Sequence, residues 1–62
     1  MSLSQRWIDK LAGLPESGMG YQIVNVHLKD GSIVKGIIVF NSSQIIDNVN
    51  FSEADIVDIT MS

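Results

Sequence analysis

The chain has 62 residues, a net charge of −3 and no cysteine, which predicts one small domain, marginally stable alone and held by no disulfide. Its 45% hydrophobic fraction excludes disorder; no apolar run approaches the about 20 residues of a membrane-spanning helix, and no signal-peptide core opens the chain, so the expectation is a cytoplasmic protein with no membrane partner. All four basic residues, Arg6, Lys10, Lys29 and Lys35, precede residue 36, and residues 36–62 carry only acids, a distribution that argues against a phosphate-binding surface.

Residues 2–13, SLSQRWIDKLAG, predict a short helix over about 4–12. Ser2 or Ser4 is placed as its N-cap. Leu3, Trp7, Ile8 and Leu11 form one apolar stripe opposite Arg6, Asp9 and Lys10. Gly13 is expected as a left-handed C-terminal residue, with Pro15 stopping the helix and Leu14 folding back on its last turn. So short a helix must dock its stripe to persist, and Trp7 packs either in the core or at an interface. Residues 13–20 are a linker broken by Pro15, Gly18 and Gly20, in which Met19 is expected as a small apolar plug. Gly18-x-Gly20 precedes a strand rather than a helix, so no phosphate loop is implied.

Residues 21–40, YQIVNVHLKDGSIVKGIIVF, predict a β-hairpin: two arms of β-branched and aromatic residues flank Asp30-Gly31. Val24, Val26 and Leu28 share one face of the first arm. A two-residue loop would add Ile33, Ile37 and Val39 to that face. A three-residue loop, Lys29-Asp30-Gly31, would add Val34, Gly36, Ile38 and Phe40, and is favoured because Phe40 is the largest candidate for the core. Gly36 is expected to mark a bulge or a close approach. Residues 44–51 predict a third strand with Ile45, Val49 and Phe51 on one side, residues 52–55 a single helical or 3₁₀ turn, and residues 56–61 a last strand.

Within this pattern, residues 24–40 resemble the first motif of Sm-like proteins, in which alternating aliphatics lead to an Asp-Gly turn and a Gly follows five residues on. Here these are Val24, Val26, Leu28, Asp30, Gly31 and Gly36. Asn41 stands where that family has Asp, so the likeness implies a small, strongly bent sheet rather than an RNA site. Over most of the chain, Trp7, Leu11, LPESGMGYQ (14–22), LKDG (28–31) and the closing Asp55-Ile56-x-x-Ile59 resemble a group of small bacterial proteins of unknown function; this likeness implies a bacterial cytoplasmic protein and no particular site.

The expected fold is therefore α+β: a single domain with a short N-terminal helix, a linker (13–20) and an antiparallel, strongly bent meander of three to four strands (21–61), of the SH3-like or Sm-like small-barrel kind. Nothing points to catalysis. His27 is the only histidine, on a strand position opposite the Val24 face, and a metal site needs three or four convergent ligands. Glu53, Asp55 and Asp58 lack the spacing of a calcium loop and are expected to cap the 52–55 turn and solubilise an edge strand. No enzyme activity, metal, cofactor or small-molecule ligand is expected. The function expected is a self-associating structural module, a homodimer with Tyr21, Ile23 and Trp7 at or near its interface. The alternative is a small barrel-like binder of nucleic acid or peptide, using Lys29 and Lys35 near the hairpin tip.

Overall fold

The structure, a computed structural model, describes residues 1–46 and 49–62. Among these residues the elements are α1 (Gln5–Ala12), β1 (Tyr21–Leu28), β2 (Ile33–Phe40), β3 (Gln44–Ile45), a 3₁₀ turn (Glu53–Asp55) and β4 (Ile56–Met61). The strands pair antiparallel in the order β3-β2-β1-β4, and the sheet curls strongly into a half-barrel. This is the α+β helix-and-bent-meander architecture that the sequence predicts.

Helix α1 starts at Ser4, whose carbonyl accepts from the N–H groups of Trp7 and Ile8, both at 3.1 Å. The Ser4 hydroxyl makes no cap bond; its own N–H is taken instead by Glu53 Oε1 at 3.3 Å. At the other end Gly13 is right-handed, φ −87°, not left-handed as expected. The helical path continues one residue further, so that Leu14 N–H reaches the Leu11 carbonyl at 3.0 Å. Gln22 makes a left-handed cap unnecessary, because its side chain serves the last carbonyls: Nε2 donates to Leu11 O at 2.9 Å and to Leu14 O at 3.2 Å.

The hairpin loop has three residues, Lys29-Asp30-Gly31. Leu28 N–H donates to Ser32 O at 2.9 Å, Gly31 N–H to Leu28 O at 3.0 Å, and Gly31 has φ +93°. Near the loop Val26 accordingly faces Val34. The register then shifts. Between the pairs Val26–Val34 and Val24–Ile37 lies one residue of β1, Asn25, against two of β2, Lys35 and Gly36. Gly36 sits at φ +72°, the left-handed geometry of a bulge. Beyond it every β2 side chain has changed face, so Ile37 and Val39 enter the core and Phe40 is left 44% exposed. The expected burial of Phe40 is thus corrected by the bulge that Gly36 was expected to mark. A second bulge lies in β4, where Val57 is extra between the pairs Leu28–Ile56 and His27–Asp58.

The core lies inside the curl. Leu3, Trp7 and Leu11 cluster with Val24, Val26, Ile37, Val39, Ile45, Ile56 and Ile59, and Phe51 joins them. Ile8 and Leu14 pack half-buried at the margin. The expected third strand is confined to Gln44–Ile45; Ile45 and Phe51 are nonetheless buried and Val49 half-buried, while Asp47 and Asn48 lie outside the described residues. The outer edge of β3 is paired by the start of the chain. The Met1 ammonium donates to Ile45 O at 2.8 Å, Ile45 N–H returns to Met1 O at 2.8 Å, and Leu3 N–H donates to Ser43 O at 2.9 Å. This covers an edge that would otherwise offer free N–H and C=O groups.

Candidate functional site

The alternation of β1 that buries Gln22, Val24 and Val26 sends Tyr21, Ile23, Asn25 and His27 to the outer, convex face. After the bulge, β2 sends Ile38 and Phe40 to the same face, where Tyr21 pairs with Phe40 and Ile23 with Ile38. Beyond β3, Ile46 N–H donates to Ile38 O at 3.5 Å, which carries Ile46 onto this face, 60% exposed. Tyr21, Ile23, Ile38, Phe40 and Ile46 thus form a continuous apolar field across three neighbouring segments, and none of the five is charged. The last strand does not cover it: β4 lies beside β1 in the same sheet, presenting Asp58 opposite His27 and Thr60 opposite Asn25. The outer face is therefore apolar toward β3 and polar along β4.

Tyr21 is fixed by the chain before it. Residues 17–20 turn back on β1: Ser17 N–H donates to Tyr21 O at 3.0 Å, and Ile23 N–H donates to Ser17 Oγ at 2.9 Å. Gly18 bridges Tyr21 across this tight turn. A Cβ on Gly18 would come within 2.3 Å of the Tyr21 ring, so the phenol lies directly over the glycine backbone. The linker is thus a small extension of the sheet rather than an irregular tether, and Met19 at its tip is 96% exposed, not the internal plug expected of it.

The other sequence candidates lie elsewhere. Trp7 is 6% exposed in the core, with the Arg6 guanidinium 4.3 Å from its ring centroid, and so on the opposite side of the sheet from Tyr21 and Ile23. His27 Nε2 lies 3.0 Å from Thr60 Oγ1. Its cross-strand neighbour Asp58 is already engaged, by the Lys10 ammonium and by Ile59 N–H, and the Lys10 bond holds its carboxyl below the ordinary aspartate value. Lys29 is 3.6 Å from Asp55 Oδ1 and Lys35 stands exposed on the bulge, so the hairpin tip offers one paired lysine beside two carboxylates, Asp30 and Asp55. A cleft of about 410 Å³ lies there, floored by Leu28, Val34 and Phe51 and rimmed by Lys29, Asp30 and Asp55. Among the described residues no group of three or more His, Cys, Asp or Glu could hold a metal ion, and no helix is long and apolar enough to cross a membrane.

Tyr21 and Ile23 were legible as outer-face residues from the alternation of β1. Phe40 and Ile46 were not: Phe40 needed the bulge to be placed, and Ile46 needed β3 to pair with β2. Comparison of the chain with family models, curated proteins and solved structures finds no match.

Proposed function

We propose that this chain is a cytoplasmic, non-catalytic structural module that acts by self-association, closing as a twofold homodimer through the outer face of β1 and β2 and the start of the segment after β3. The observation that carries this reading is the apolar field in which half-buried Tyr21, Ile23 and Ile38 lie beside exposed Phe40 and Ile46. Contiguous apolar surface of this kind marks contacts. A second copy fits it better than a charged partner does, for two reasons. The field carries no charge, so two chains of net charge −3 meet there without bringing like charges together. A domain of 62 residues with no cysteine also gains through association the burial that its own core is too small to supply. Identical chains most often close as twofold pairs, in which one patch meets itself.

Sedimentation equilibrium at micromolar concentration tests this. The expected mass is twice the 6.8 kDa of the chain, and Ile23→Glu is expected to give a folded monomer, because the added carboxylate would be buried unpaired in the contact. A wild-type monomer at all concentrations would refute the reading. A salt-sensitive shift of mixed RNA and DNA oligomers would instead favour a nucleic-acid binder.

A further inference from the structure

The turn Gly18-Met19-Gly20 displays one bare methionine on a clamped backbone. Four hydrogen bonds hold its flanks: Gly18 N–H to Tyr21 O at 3.3 Å, Tyr21 N–H to Gly18 O at 3.5 Å, Ser17 N–H to Tyr21 O at 3.0 Å, and Asn41 N–H to Gly20 O at 2.8 Å. The last ties the turn to the β2–β3 connection, beside Phe40. Both glycines shape the turn. A side chain at Gly18 would have to push the Tyr21 ring off the turn, and Gly20 has φ +82°. At 96% exposure Met19 is the most exposed of the large hydrophobic side chains, and it stands at the Tyr21–Phe40 end of the apolar field. Among the described residues, Met19 is not packed against the core.

We infer that Met19 is the anchor of the homodimer, each protomer seating this side chain on the outer face of its partner among Ile23, Ile38, Phe40 and Ile46. The inference rests on the self-association reading and adds the residue that gives it grip. A residue at one end of a patch that meets its own twin falls on a different part of the twin and does so twice, once from each side. An unbranched thioether adapts to whatever shape it meets there, and the clamped backbone limits the ordering that binding must impose. The partner it fits is therefore an apolar, uncharged surface, and the second copy of this chain presents one.

The dimer dissociation constant is measured by sedimentation for wild type, Met19→Leu, Met19→Glu and Ile23→Glu, with circular dichroism to show that each is folded. Because the chain has no cysteine, Met19→Cys also carries a single photoreactive thiol label, whose crosslinks are mapped by mass spectrometry. Met19→Glu is expected to weaken the dimer about tenfold or more without changing the helix and sheet signal, and Met19→Leu to stay within about threefold of wild type. Crosslinks are expected on β2 or Ile46 of the partner. If wild type dimerises and Ile23→Glu dissociates it while Met19→Glu does not, the anchor is overturned and self-association stands. If wild type is a monomer throughout, the self-association reading falls and the anchor with it.

Discussion

Two residues show how local chemistry sets this fold. Gly36 would tolerate a Cβ in space, since nothing lies within 4 Å of one, but it sits at φ +72°. Its role is conformational, so a side chain there costs backbone strain rather than a clash. Gly36→Ala is expected to lower stability by about 1–2 kcal/mol, and Gly36→Val by more because branching at Cβ tightens the restriction; urea titration of the three proteins checks both. Gln22 is the reverse case, a polar residue 1% exposed on the inner face. Its amide nitrogen holds the end of α1 and its oxygen accepts from Ser42 Oγ at 3.3 Å. Gln22→Leu conserves size but removes the side-chain donor shared by the Leu11 and Leu14 carbonyls, leaving Leu11 O, among the described residues, only the Leu14 N–H, and is expected to cost about 1–3 kcal/mol, with faster amide exchange in the last turn of α1.

At the scale of elements, the hairpin was legible and its faces were not. Asp30-Gly31 and the alternation of β1 were enough to place both arms; the three-residue loop expected is the one found, but its ground, a buried Phe40, fails because Phe40 lies on the outer face. A period-2 pattern fixes a face only while the ladder is unbroken. In β2 the two candidate core sets are both used, Val34 before the bulge and Ile37 with Val39 after it. The outer field was legible at Tyr21 and Ile23 because β1 alternates cleanly there. Its other half depended on a pairing that two residues of β3 make, too short a run to leave a periodic signal. The 3₁₀ turn was legible through its capping chemistry: Ser52 N–H and Oγ both donate to Asp55 Oδ2 at 3.1 Å. The backbone and hydroxyl of Ser52 hold the Asp55 carboxyl below the ordinary 3.8. Ser32 N–H does the same for Asp30 and the Lys10 ammonium for Asp58. A folded-state pKa below the unfolded one means that the folded chain binds these protons less tightly. The stabilisation is then complete above the unfolded value and disappears as pH falls through the lowered ones. Denaturation midpoints are expected to be flat, as far as these groups go, from pH 7 to about pH 5 and to drop below pH 3.8, less steeply in Asp55→Asn.

For the whole molecule, the self-association proposed above would link folding to concentration. A dimer that forms only from folded chains gains about 1.4 kcal/mol for each tenfold rise in concentration. The thermal midpoint of wild type is therefore expected to rise by a few degrees over that range, and that of Ile23→Glu to stay constant; differential scanning fluorimetry at two concentrations reads both.

The bulge in β2 has a consequence for deletion rather than substitution. Losing one residue from a strand ordinarily throws every later side chain out of phase. Here the extra residue is itself the phase error, and without Gly36 the ladder would run unbroken from Val26–Val34 through Asn25–Lys35 to Val24–Ile37, every existing partner kept. What would go is the local twist that an extra residue adds to a strand. The deletion is therefore expected to give a chain with intact hairpin pairing by NMR but a flatter trough, in which α1 seats less deeply and Trp7 emits at longer wavelength. A residue contributing neither a side chain nor a cross-strand partner thus adds twist to the strand on which the core is built.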